Sequence, residues 1–153
     1  MKLNGPWSEE KIGAYLGETR LPVRLAAAGT SGGPMVVSLW YLWRDGALWC
    51  ASTDNAAVVK SLKKDPVCGF EVAREMPPYF GVRGQGRAEI LDDGDGLLRE
   101  LYARYGGAPD HGFADWLLNR DEREVAIRIA PDRMMSWDYR DRMRGAFTPE
   151  ADD

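Results

Sequence analysis

The chain has 153 residues, 44% hydrophobic and 29% charged, a balance that suits one globular domain whose core needs no metal or disulfide staple. A net charge of -4 and a pI near 5.1, with no Lys/Arg block on any one element, argue against a nucleic-acid-binding protein. A single histidine, His111, argues against a His-built metal site or a Ser-His-Asp triad, and no apolar run reaches membrane-spanning length, so no metal, no membrane and a cytoplasmic location are expected.

In chain order, Ser8 followed by Glu9 and Glu10 reads as a helix N-cap with acids at the positive end, and Ile12, Tyr15 and Leu16 give that helix one apolar face up to Gly17. Leu21 to Ala28 reads as a strand, and Gly29 to Gly33 as a turn rather than a phosphate loop, because no Lys-Ser/Thr pair or helix follows it. Met35 to Trp43 is apolar nearly throughout, as in a strand covered on both faces. Asp45-Gly46 is a type I′ hairpin signal, and Leu48 to Thr53 returns as the partner strand. Asp54 or Asn55 is placed to cap a helix that runs to about Lys64 and stops before Pro66. Val67 to Ala73 and Tyr79 to Leu91 follow as strands. Leu97, Leu98, Leu101, Tyr102 and Tyr105 have helical spacing, and Phe113 to Leu118 suggests a second short helix. Glu124 to Ile129 alternates like a half-exposed strand, Arg133 to Tyr139 reads as the last strand, and a tail from Phe147 to Asp153 is expected to be disordered. The domain therefore spans residues 1–146, with six to seven mostly antiparallel strands and a few flanking helices: an α+β, mainly β, barrel.

Four places have residue types suited to a site. At Ala51-Ser52-Thr53-Asp54-Asn55, hydroxyls at a strand end meet helix N–H groups and a cation, Lys60, a set that suits a phosphate; an ordinary helix cap with a solvated lysine has the same residues. The strand from Val36 to Trp40 offers backbone groups. Trp40, Trp43 and Trp49 cluster about the hairpin, where aromatics serve as core, interface or ring-stacking groups. In Tyr79-Phe80-Gly81-Val82-Arg83-Gly84-Gln85-Gly86, the glycines mark a bulge or a close approach, and Arg83 either forms a surface pair or meets an anion. Cys50 and Cys68 are read as buried free thiols, since nothing basic activates them.

The order strand, Asp-Gly hairpin, strand, short basic helix, strand, then a strand containing Gly-Gln-Gly resembles the pyridoxamine 5'-phosphate oxidase-like, flavin-binding split-barrel family. The likeness runs from about Leu21 to Tyr139. It implies a split β-barrel in a homodimer, with flavin mononucleotide (FMN) held between subunits, a small-molecule substrate and a nicotinamide donor. By the same resemblance Ala51, Ser52, Thr53 and Lys60 match the phosphate subsite. Val37, Ser38, Leu39 and Trp40 match the strand that edges the isoalloxazine ring. Trp137 matches an aromatic on the last strand, and Arg83 falls near the cofactor or the subunit interface. The chain departs from the family in two ways. Val58 stands where the family has its usual lysine, and Met35 and Trp40 stand where the true oxidases have basic residues. Two alternatives follow: an F420-dependent reductase on the same fold, with Lys63, Lys64 and Arg83 as extra cations, or a cofactor-free dimeric binding protein.

Overall fold

A computed structural model describes residues 1–106 and 111–146 of the chain, so the tail expected beyond 146 lies outside the described residues. The elements are β1 (Lys2–Asn4), α1 (Glu9–Glu18), β2 (Val23–Ala28), β3 (Pro34–Leu39), β4 (Leu42–Arg44), β5 (Ala47–Thr53), α2 (Ala57–Lys64), β6 (Val67–Ala73), β7 (Phe80–Leu91), α3 (Gly94–Tyr105), α4 (His111–Leu118) and β8 (Glu124–Asp138). Ser8 caps α1: its hydroxyl accepts the Lys11 N–H at 3.2 Å, which satisfies one of the helix's orphan donors. Asp45 and Gly46 have φ of 52° and 68°, as a type I′ turn requires, and so join β4 to β5.

The strands form one sheet in the order β3-β2-β6-β7-β8-β5-β4, antiparallel throughout except that β1 runs parallel to the second half of β8. The edge strands β3 and β4 are joined by only two residues, Trp40 and Tyr41, so the chain draws the two ends of the sheet together into a half-barrel. This is the mainly β, α+β split barrel expected from the strand order. Leu25, Leu48, Phe70, Val82, Ile127, Ile129 and Met134 fill its interior, with Ile12 and Leu16 of α1 and Val58, Val59 and Leu62 of α2 packed into the same cluster.

The strand boundaries differ from the sequence reading at three points, each for a tertiary reason. The Met35–Trp43 run divides because Tyr41 turns into the core, fully buried, and donates its hydroxyl to Leu16 O at 2.9 Å. What remains as β3 is an edge strand, with Val36 65% exposed rather than covered on both faces. The two strands expected on either side of Pro131 are one continuous β8. The missing proline N–H falls at a register shift between Gln85 and Gly86 of β7, which is where the glycines suggested a bulge. β1 was missed, because three residues have no legible period and are ordered only by pairing with β8. On α2, the cap position is Ala56, without a side-chain bond; Asp54 instead accepts from Lys63 Nζ at 2.5 Å.

Candidate functional site

Side chains on β5 alternate between two environments. Leu48 and Cys50 enter the barrel core, whereas Trp49 and Ala51 pack outward with Leu97 and Leu101 of α3. By the same alternation Thr53 lies on the outer face and Ser52 on the inner one, so the two hydroxyls diverge. α3 is tied to the β3–β4 corner through Tyr105. Its ring stacks on Trp40 at 5.4 Å and 4°, and its hydroxyl lies 3.2 Å from Leu21 O and 3.3 Å from Tyr41 O.

The end of β5, this corner, α3 and α4 enclose an open cleft of about 350 Å³. Ser38, Leu39, Trp40, Ala51, Ser52 and Thr53 line one side, and Leu98, Leu101, Phe113, Leu117, Arg120 and Glu124 the other. Six of the ten residues nominated from the sequence therefore share one cavity. Val37, a seventh, is adjacent on β3 and packs its side chain against the core. Since β3 bonds only β2, the backbone N–H and C=O groups on its other side remain available to a ligand.

The electrostatic feature of the cleft is a pair that the sequence reading passed over. Glu124 is 4% exposed and pairs in register with Thr53. Its carboxylate accepts from Arg120 Nη2, while Arg120 Nη1 lies 3.9 Å from Glu122. Burial pushes the Glu124 carboxyl up, and the Arg120 guanidinium opposes that shift. Arg120 also lies over the Trp116 ring at 5.2 Å, and its Nε–H is buried with no acceptor. The available signal was Glu124 itself: an acid directly before the apolar run Val125-Ala126-Ile127, with an arginine four residues earlier.

The other three nominated residues lie elsewhere within a protomer. Lys60 is exposed and borders a separate groove with Asp54, Asn55, Lys63, Glu122 and Arg123. The family lysine position is closed to solvent, because Val58 is buried in the core. Arg83 lines a groove of about 570 Å³ on the outer sheet face with Arg24, Glu71, Gln85, Arg133 and Met135. Its guanidinium sits 3.3 Å from Met135 Sδ and 5.7 Å from the Trp137 ring centroid. Trp137 pairs with Gly81, thirteen positions along β8 from Glu124. At about 3.3 Å per residue that is roughly 40 Å of strand.

Burial pushes the Cys50 thiol up and Cys68 up to about 11, so neither supplies a thiolate nucleophile near neutral pH. Among the described residues no three His, Cys, Asp or Glu side chains gather as a metal site, and no helix is long and apolar enough to cross a membrane.

Comparison with known proteins agrees with this architecture. Residues 9–138 match the family model for pyridoxamine 5'-phosphate oxidase. A conserved hypothetical protein from Mycobacterium tuberculosis superimposes with a TM-score of 0.73 at 24% identity, covering 97% of this chain and 93% of that one. An F420 reductase superimposes at 0.62 with 26% identity, covering 84% of this chain and 97% of the reductase. A FAD-binding protein from Mesorhizobium loti gives 0.61 and 24%, with coverage of 85% and 91%. No curated protein matches the sequence.

Proposed function

The chain belongs to the pyridoxamine 5'-phosphate oxidase family, and from that premise we propose that it is an FMN-binding oxidoreductase that acts on a small molecule as a homodimer. The observation that carries this reading is the cleft, where the edge of β3 and the end of β5 meet. Its volume falls in the range of small-molecule sites, about 300–1,000 Å³, and its lining is mostly apolar with a few polar groups. The orphaned Nε–H of Arg120 is a donor still lacking an acceptor, as a site for an anionic ligand would have before binding.

When bound, the flavin supplies hydride transfer at its N5 atom. The protein needs only to hold the ring and exclude water. The backbone groups that the Val37–Leu39 segment turns away from β2 suit the ring's polar edge, Trp40 and Leu101 provide apolar walls, and the Thr53 hydroxyl with the Ala51–Thr53 backbone suits a phosphate. That division of labour fits a cleft with no recognisable nucleophile or acid-base dyad.

The dimer reading rests on two observations. Val36, Val67 and Met135 are 65%, 51% and 40% exposed on the outer sheet face, about the small residues Ala26 and Gly69. Trp137 and Arg83 lie too far along the sheet to join the cleft of their own chain, so a cofactor role for them requires a second copy. The F420 reading is favoured by one specific feature: the groove next to Thr53 has Lys60 beside the Lys63–Asp54 and Arg123–Asp92 pairs, and an acidic tail would meet Lys60 there.

The test is the visible absorption of concentrated protein after incubation with FMN and desalting. Retained flavin bands at about one per protomer are expected, followed by reduction on addition of a nicotinamide donor. A colourless protein overturns the reading, and retention of F420 in its place selects the second one.

A further inference from the structure

Resting on the FMN reading, we infer that Arg120, and not Lys60, is the cation that receives the cofactor phosphate beside Ser52 and Thr53, with Glu124 as the residue that positions it. Arg120 is the one cation among the described residues lining the cleft that holds Ser52 and Thr53. Lys60 borders a different groove, and the position of the family lysine is occupied by buried Val58.

The geometry around Arg120 is that of a poised but incompletely used guanidinium. One amino group is committed to Glu124, the other lies 3.9 Å from the Glu122 carboxylate, the flat face is backed by Trp116 at 5.2 Å, and Nε–H alone is buried without an acceptor. A guanidinium presents its donors as a planar fork that matches two oxygens of a phosphate, so an Nε left open is the half of the fork a phosphate would take. Glu124 is nearly fully buried, so its carboxylate depends on Arg120 and restrains it at the cleft wall. The same carboxylate repels a phosphate. Its charge therefore positions Arg120 and also limits affinity for the anion.

The experiment compares FMN with riboflavin, which has the same ring but no phosphate, by quenching of flavin fluorescence on the full chain. Arg120→Ala is expected to weaken FMN by about 10- to 100-fold, the worth of a charge-assisted hydrogen bond, and to leave riboflavin unchanged. Arg120→Lys recovers part of the loss, and Lys60→Ala changes neither ligand. Glu124→Gln removes the repulsion while preserving shape, and should strengthen FMN several-fold with riboflavin unmoved. The inference is overturned if the wild-type preference for FMN survives Arg120→Ala in protein that melts like wild type, or if it collapses in Lys60→Ala. If the wild-type chain binds neither flavin, the parent reading fails and this one with it.

Discussion

The two ends of β8 are built to different physical specifications. At its C-terminal end the polar groups are paired. Ser136, 1% exposed, accepts the Trp7 N–H at 3.0 Å, and Asp138 accepts from Trp7 Nε1 at 3.0 Å and Arg140 Nε at 2.9 Å. Trp7, Tyr15 and Phe80 interlock there with centroids 5.1–6.0 Å apart. At its N-terminal end a buried carboxylate, Glu124, faces an open cleft with one cation as partner, and that cation keeps an unsatisfied donor. Buried polar groups without partners cost about 1–3 kcal/mol each; among the described residues the Nε–H groups of Arg120 and Arg104 are of this kind, and that of Arg120 stands at the cleft wall. Within one protomer, the closed end therefore contributes stability and the open end contributes the cleft.

The strongest challenge to this division is Trp7→Ala. Removing a ring that is 5% exposed and packed at a tilt against two others should cost about 3–5 kcal/mol in a denaturant titration. The affinity of the folded fraction for FMN should stay at the wild-type value; a parallel loss of affinity would mean that the two ends are one cooperative unit.

Gly94→Ala asks the converse question at the open end. A Cβ there would sit 2.2 Å from the Glu124 carbonyl carbon and 2.3 Å from the Val125 nitrogen, and backbone cannot yield as a flexible side chain does. α3 must shift off β8, at about 1–3 kcal/mol of overpacking. Because α3 carries Leu98 and Leu101 into the cleft, flavin affinity should fall out of proportion to the melting temperature. Equal stability loss with unchanged binding would separate α3 from the site.

Asp138→Asn has the smallest expected effect, and it tests the closed end through pH. Hydrogen bonding to Arg140, and then to Trp7, holds the Asp138 carboxyl well below the usual carboxylate range. A group depressed in the folded state contributes stability above its unfolded value, near pH 4, and loses it as pH falls toward the folded one. Melting curves of wild type and variant should thus lie apart at pH 7 and draw steadily together as pH falls below about 4. Curves that stay parallel would show that Asp138 adds nothing through its charge.

The legible part of the molecule is the part written in local pattern. The Ser8 cap, the Asp45-Gly46 turn, β6 at Val67–Ala73 and the glycine bulge of β7 all follow from side-chain period, turn chemistry or missing Cβ atoms within a few residues. The candidate site was legible as segments: Ser38 to Trp40 and Ala51 to Thr53 were nominated separately and meet in one cleft. Its opposite wall was not legible. Glu124 reads in sequence as the polar start of a strand. Only the packing of α3 and α4 over it makes it a buried acid.

Sequence alone therefore determined most of the succession of elements along the chain, the hairpin and the family that this succession resembles, because these depend on residues close in the chain and on covalent order. The tertiary structure decided that Tyr41 breaks a strand, that Pro131 does not, that Val58 is sealed in the core, and that Arg120 rather than Lys60 shares a cavity with Thr53. Each of those outcomes turns on competition between a local preference and a contact made across many residues. Burial and the satisfaction of polar groups are properties of the assembled sheet, and no window of sequence contains them.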